Sequence, residues 1–153
     1  MKIIVRGGVP LLLSASLLAG CGGDGQTHVK LPPAGAPPQE VVTAYVAAIN
    51  AHDKKTGRAL STAHFGKLET TEVADSLFND AKLSDLKVSA PIPEQGYESP
   101  DGKQYAQVVK VPVTFDLKQK TEVSMPNGPT AWGYLLVRES LTGPWRINDH
   151  GNG

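Results

Sequence analysis

The most regular pattern in the chain is that of residues 108–117, which read VVKVPVTFDL. Apolar side chains occupy every second position, and this period of two predicts a β-strand with one buried face. The strand contains Pro112, which has no N–H for a ladder hydrogen bond, so the sequence predicts either an edge position or a bulge there. The apolar face comprises Val109, Val111, Val113, Phe115 and Leu117.

Weaker alternation on either side of this stretch predicts further strands. One alternating stretch runs from Leu86 to Ile92, another from Ala131 to Glu139, and a last strand begins at Trp145. Because short connections join antiparallel neighbours, we expect an antiparallel sheet. The turn-forming segments between the strands are Ser99-Pro100-Asp101-Gly102, Pro126-Asn127-Gly128-Pro129 and Thr142-Gly143-Pro144.

A helical period precedes the strands. Pro38 and Glu40 suit the first turn of a helix, and we expect this helix to end within residues 50–53. Its predicted buried face is Val41, Val42, Tyr45, Val46 and Ile49.

Two more helices are expected before the first strand. The second covers Lys54–Leu60 and is weakened by Gly57, and His64 is expected in the loop after it. The third begins at Thr70 or Thr71 as N-cap, with an apolar face that extends to residue 81. Because helices and strands are segregated along the chain, the sequence predicts the α+β class.

The first twenty residues have the features of a secretory signal peptide. Lys2 and Arg6 precede the mostly apolar stretch Val9–Ala19, and no acidic residue occurs in residues 1–20. This stretch is shorter than the ~20 apolar residues that a transmembrane helix needs. We therefore predict that residues 1–20 are removed and that the rest of the chain is exported.

The end of that segment, Leu18-Ala19-Gly20-Cys21, resembles the lipobox of bacterial lipoproteins. The resemblance implies cleavage before Cys21 and a diacylglycerol on its sulfur, often with an acylated amino group. Two acyl chains suffice for stable attachment, so we expect a lipid anchor on the extracytoplasmic face of the cell membrane. The alternative is a buried cysteine inside a signal peptide that is cut elsewhere.

Residues 21–38 are predicted to be a tether, because glycine and proline dominate them and their few apolar residues show no period. His28 is expected to be solvated there. The folded domain is assigned to residues 39–153.

Composition excludes several classes of protein. The chain has 15 basic and 15 acidic side chains, and removal of residues 1–20 leaves 13 basic and 15 acidic ones, so no nucleic-acid partner is expected. One cysteine makes neither an internal disulfide nor a thiolate cluster. His52, His64 and His150 lack metal-ligand spacing, and no phosphate-binding glycine loop occurs, so we expect no metal and no cofactor.

Two segments resemble the NTF2-like superfamily, which includes SnoaL-like and ketosteroid-isomerase-like proteins. They are Glu40–Asp53, a helix that ends in an Asn-x-x-Asp turn, and Gly143–Gly151, which contains a Trp-Arg-Ile strand. The resemblance implies a cone in which N-terminal helices pack on a curved antiparallel sheet. It also implies that an enzyme of this type would direct Asp, His or Tyr into the cone.

Candidate site residues follow from the phases of the strands and helices. Asp149 shares strand phase with Trp145 and Ile147, and Tyr45 follows the apolar face of the first helix, so these two are weak catalytic candidates. Solvent exposure for Asp149 and plain core packing for Tyr45 are the alternatives. The candidate pocket or interface residues are Tyr45, Val111, Val113, Phe115, Trp132 and Tyr134, with sheet packing as the alternative for the last two.

Three functions are compatible with these features. The first is a noncatalytic binding or accessory module for a small apolar ligand or an envelope protein. The second is a SnoaL-like isomerase, dehydratase or hydrolase that acts on a small apolar substrate. The third is a structural homodimer with Trp132 and Tyr134 as interface anchors.

Overall fold

The structure is a computed structural model that describes residues 28–72 and 76–152. The predicted signal peptide, the lipobox with Cys21 and the first part of the predicted tether lie outside the described residues. Within residues 28–72 and 76–152, no helix has both the length and the apolar character that a membrane span requires.

The first helix, α1, spans Pro38–Asn50 as its sequence predicts. Its buried face packs into the core, and the chain leaves the helix through His52, whose φ of 53° ends the helical path. The Asn50 side chain then makes two hydrogen bonds with the backbone of Leu83. Its Nδ2 donates to the Leu83 carbonyl at 2.9 Å, and its Oδ1 accepts from the Leu83 N–H at 2.7 Å. This pair of bonds ties the end of α1 to the start of the sheet.

The next two helices are short and are capped by their own side chains. Asp53 caps α2 (Lys54–Ala59), and Thr62 caps α3 (Ala63–Lys67). The expectation of a loop around His64 is wrong, because the Thr62 cap starts a helix there. Gly57 has a packing reason: a Cβ at this position would lie 2.3 Å from the ring of Phe78.

The third predicted helix is described only in part, because residues 73–75 lie outside the described residues. A π-helical turn covers Leu68–Glu72, and α4 covers only Leu77–Asp80. Thr70 and Thr71 are not an N-cap. Their hydroxyls instead donate from the π-helical turn back to the carbonyls of Gly66 and Lys67 in α3. The cap of α4 is Ser76, whose side chain accepts from the N–H of Phe78.

Five strands form one open antiparallel sheet, so the predicted α+β class is confirmed. Its order is β1-β3-β4-β5, and β2 pairs with β3 beside β1. The helices cover one side of the sheet, and together they give a cone-like fold. The strands are β1 (Lys82–Val88), β2 (Ile92–Pro93), β3 (Gln107–Lys118), β4 (Gly128–Arg138) and β5 (Arg146–Gly151).

Pro112 lies in a central strand, which corrects the expectation of an edge position or a bulge. The strand β3 pairs with β4 on one side without a shift and with β1 and β2 on the other. Pro112 faces the interruption between β1 and β2, where its carbonyl accepts from the N–H of Ser89 at 2.9 Å. The missing N–H is tolerated because the neighbouring strand is broken there. Ile92, expected on a buried face, is 52% exposed beside this break.

The two sides of the sheet differ in character. We call the side that carries Val111, Val113, Phe115, Tyr134 and Leu136 the inner face, because these residues pack with α1 in the core. The other side, with Pro112, Thr114 and Leu135, is the outer face. The predicted apolar face of residues 108–117 is thereby confirmed as the inner face.

Part of the predicted tether lies against the domain. The N–H of Val29 donates to Asp53 Oδ2 at 3.1 Å, and Ala36 is buried. His28, expected to be solvated, places Nδ1 3.2 Å from the same oxygen although its side chain is 56% exposed. The described part of the tether is therefore docked through Asp53.

Candidate functional site

A β-bulge in β5 decides which side chains enter the cone. Leu136 of β4 lies opposite Ile147, but Leu135 lies opposite Asp149 and Tyr134 opposite His150. One extra residue in β5 shifts the alternation after Ile147, so that His150 joins Tyr134 on the inner face. The expected inward orientation of Asp149 is wrong for this reason. Its carboxylate lies on the outer face and accepts from the N–H of His150 at 2.8 Å.

Asn148 holds the bulge in place. This side chain is 2% exposed and accepts from the Thr62 hydroxyl at 2.8 Å. Its amide nitrogen also donates to Ser99 Oγ at 2.9 Å and to the Tyr97 hydroxyl at 3.0 Å. Contacts to two separate segments make the bulge a fixed feature of the fold.

Glu69 reaches the same region from the π-helical turn. It is 6% exposed, and Oε1 lies 3.4 Å from His150 Nε2. The imidazole ring makes edge contacts with Phe65 and Trp132, with ring centroids 5.1 and 5.4 Å away. Single π-helical turns are frequent at functional sites because they redirect one side chain.

Several polar atoms around Glu69 make no hydrogen bond with any described residue. They are the hydroxyls of Tyr45 and Tyr134, Nε1 of Trp132 and Nδ1 of His150. Buried polar groups in folded proteins are nearly always hydrogen-bonded, so four such atoms in one place are unusual. We call Glu69, His150, Trp132, Tyr45 and Tyr134 the Glu69 cluster.

The two tyrosines of the cluster are hydrogen-bond donors at neutral pH. Burial raises the pKa of Tyr134, and the negative charge of Glu69 raises it further. Burial likewise raises the pKa of Tyr45, with Tyr134 and Glu69 adding to the effect. The nearby Ser61 hydroxyl has the opposite effect and lowers the pKa of Tyr45. The hydrogen of the Ser61 hydroxyl is donated to the Gly57 carbonyl at 2.8 Å.

His150 is neutral at the same pH. Burial lowers its pKa to about 4, and the Asp149 carboxylate opposes this shift. A neutral imidazole carries one N–H, and the contact with Glu69 assigns that hydrogen to Nε2. Nδ1 is then an acceptor within a cluster of donors.

A small pocket leads to the Glu69 cluster from the surface. Its volume is about 90 Å³, and Glu69, Trp132 and His150 line it together with Leu77 and Met125. This volume corresponds to roughly three water molecules at about 30 Å³ each. The pocket therefore fits a small group that carries one polar function and one apolar side.

The candidate residues predicted from the sequence lie in different environments in the structure. Tyr45 is 1% exposed and packs edge-on against Phe78 and Tyr134, at 5.4 and 5.7 Å. Tyr134 has no exposed surface, so it cannot anchor a dimer interface. Only Trp132 lines the pocket directly. Val111, Val113 and Phe115 lie in the packed core.

Sequence reasoning missed Glu69 and His150. No periodic signal marks Glu69, because a π-helical turn departs from the helical period that precedes it. His150 lies on the same face as Tyr134 only because of the bulge, and no pattern in residues 143–151 predicts that bulge. Among residues 28–72 and 76–152, no three His, Cys, Asp or Glu side chains gather as a metal site would require.

Comparison with known proteins gives one match. The sequence pattern of the family described as "Domain of unknown function (DUF4829)" matches residues 39–151. No curated protein and no solved structure matches the chain.

Proposed function

The chain belongs to the DUF4829 family, and we propose that it is a lipid-anchored extracytoplasmic lipoprotein whose NTF2-like domain is a noncatalytic binding module. The Glu69 cluster carries the proposal. Buried donors and an acceptor that have no hydrogen-bond partner among the described residues are costly to a fold, and here they surround a carboxylate that lines a surface pocket.

The helix-then-sheet order and the cone-like shape support the NTF2-like assignment. In such a cone a ligand enters between the helices and the inner face of the sheet. Here the pocket lies between the π-helical turn, the segment 119–125 that follows β3, Trp132 of β4 and His150 of β5.

The ligand that fits the pocket is small and largely apolar, with one hydrogen-bond donor. The carboxylate of Glu69 accepts from that donor, and Leu77, Met125 and Trp132 cover the apolar part. A side chain of an envelope protein with the same chemistry is the other candidate occupant.

The low basicity of His150 favours a binding function over a catalytic one. A general base works best with a pKa near the operating pH, and that of His150, about 4, lies some three units below neutrality. The contact between Glu69 and His150 supports a SnoaL-like isomerase, dehydratase or hydrolase as the second candidate, with Glu69 in the place expected for Asp149. Turnover that depends on Glu69 would establish the second function.

Ligand-observed NMR on the full chain in detergent micelles tests the binding proposal. We expect ethanol and ethylamine, which have three non-hydrogen atoms each, to bind and acetate to be excluded by the Glu69 charge. Glu69→Gln should weaken ethylamine binding about tenfold, since a hydrogen bond to a charged group contributes about 1.5–3 kcal/mol. The matched control is Asp149→Asn, which removes a carboxylate on the outer face and should leave binding unchanged. Equal loss in both variants would contradict the proposal.

The lipid anchor has a separate test. In Cys21→Ala we expect an uncleaved precursor or a protein released from the membrane, because the acceptor sulfur is gone. Labelling with a fatty-acid analogue, followed by membrane fractionation, measures both effects. A variant that is cleaved normally and stays on the membrane would refute the anchor.

A further inference from the structure

A second cleft lies on the outer face of the sheet, away from the Glu69 cluster. Its volume is about 380 Å³, and it is enclosed by the turn between β4 and β5, by residues 61–63 and by Lys103 and Tyr105. Val137 and Arg146, which pair across β4 and β5 on the outer face, form part of its wall. A volume of this size falls within the range of small-molecule sites.

The lining of this cleft is positively charged. It contains three cations, Lys103, Arg138 and Arg146, and one acid, Glu139. Among the described residues, none of these cations forms an ion pair with a carboxylate. The whole chain has equal numbers of basic and acidic side chains. The cationic excess is therefore a local property of the cleft and not a reflection of overall charge.

Each arginine makes contacts that position its guanidinium group and still leave N–H groups available to bind a ligand. The Arg138 guanidinium lies 4.7 Å from the centre of the Trp145 ring, and its Nε donates to Gln107 at 2.5 Å. Arg146 donates from Nη1 to the Trp145 carbonyl at 3.4 Å. A guanidinium has five N–H donors, and each of these arginines uses one of them in a hydrogen bond within the described residues.

The opposite wall of the cleft is rigid. Thr62 donates its hydroxyl hydrogen to Asn148 at 2.8 Å, and its N–H donates to the Ile147 carbonyl at 2.9 Å. These contacts fix residues 61–63 against β5. An anion that enters the cleft thus meets a backbone wall held by hydrogen bonds and an Arg138 guanidinium held by Gln107 and Trp145, which reduces the ordering cost of binding.

We propose that this cleft binds a small organic anion through its phosphate or carboxylate group, with Arg146 and Lys103 as the main charged contacts and Tyr105 beside the organic part. Guanidinium groups match the geometry of both anions. Glu139 on the cleft wall and Asp101 near Lys103 limit the positive excess, which selects a small anion over a polyanion. The site is separate from the Glu69 cluster, so neither proposal depends on the other.

The test is an NMR titration of the full chain in detergent micelles, at constant ionic strength. The probes are inorganic phosphate, glycerol 3-phosphate, succinate and glycerol, and the readout is the shift of the Gly143 amide beside the cleft. We expect millimolar binding of the anions and none of glycerol. A preference for phosphate or for succinate identifies the anionic group, and either supports the site.

Charge variants decide whether the cleft itself binds. Arg146→Gln should weaken binding about tenfold and Lys103→Gln about threefold, in line with the loss of one charge-assisted contact each. Lys103 is exposed and its side chain makes no hydrogen bond with a described residue, so this variant should fold even if Arg146→Gln does not. The matched control is Lys87→Gln on β1, at the far edge of the sheet. No anion binding at 100 mM, or equal weakening by Lys87→Gln, would overturn the proposal.

Discussion

Two buried carboxylates of this domain differ in the hydrogen bonding of the groups around them. Asp53 and Glu69 are 1% and 6% exposed, and each has a histidine nitrogen within 3.4 Å, from His28 and His150 respectively. Asp53 is surrounded by donors that all point at it. Glu69 lies among atoms that make no hydrogen bond with any described residue.

Asp53 shows what a carboxylate with a structural role looks like. It accepts from the Thr56 N–H at 3.0 Å, the Thr56 hydroxyl at 2.6 Å and the Val29 N–H at 3.1 Å, and His28 lies 3.2 Å away. Burial by itself raises the pKa of Asp53, but the bonds from Thr56, Val29 and His28 outweigh this effect and hold it well below its usual range. Asp53 therefore has a structural role, whereas the groups around Glu69, which have no partner among the described residues, form the candidate site.

The largest effect should come from removing the Asp53 carboxylate. We expect Asp53→Ala to lower the free energy of unfolding by about 3 kcal/mol, because it loses the cap of α2 and leaves buried donors without a partner. Glu69→Gln should change stability by less than about 1 kcal/mol, since the tyrosine, tryptophan and histidine atoms around it already lack a hydrogen-bond partner among the described residues. Urea denaturation measures both. Similar losses of unfolding free energy in the two variants would contradict the assignment of a structural role to Asp53 and a different role to Glu69.

A second prediction uses pH to separate the two regions. The folded-state pKa of His150 is about 4 and its unfolded value about 6.5, so the unfolded state binds the extra proton between these values. His150 therefore contributes stability above pH 6.5 that is lost as the pH falls towards 4. The contribution of Asp53, whose pKa is depressed, is lost only as the pH falls below about 4.

Denaturation at pH 7 and pH 5 checks the assignment to His150. Wild type should lose about 1–2 kcal/mol more than His150→Gln over this interval, since the variant has no group to protonate in the unfolded state. The other three histidines are present in both proteins and cancel in the difference. Parallel losses would show that His150 is not held neutral in the fold.

The smallest effect concerns two hydroxyls, one from each region. Thr56→Val removes a hydroxyl that Asp53 uses and should destabilise the domain by about 1 kcal/mol. Tyr134→Phe removes a buried hydroxyl without a described partner and should leave stability unchanged or raise it by a few tenths of a kcal/mol. Thermal unfolding resolves the difference in sign. A loss in Tyr134→Phe as large as in Thr56→Val would reveal a partner for Tyr134.

The sequence predicted regular elements well where a single period governs many residues. The alternation at 108–117 and the helical face of α1 gave both the type of element and its buried side. Prediction failed where one contact overrides the period. The π-helical turn replaced the expected N-cap at Thr70, and the bulge reversed the roles of Asp149 and His150.

The amino-acid sequence alone is enough to predict the α+β class, the inner face of β3 and the membership of residues 39–151 in one family. The candidate site becomes visible only in the folded domain. Glu69 and His150 are about eighty positions apart along the chain, and their contact depends on a turn and a bulge, each of which moves a side chain by one residue of phase. A local pattern records the average period of an element, whereas such shifts of phase are set by long-range hydrogen bonds, here those of Asn148 to Thr62 and Ser99.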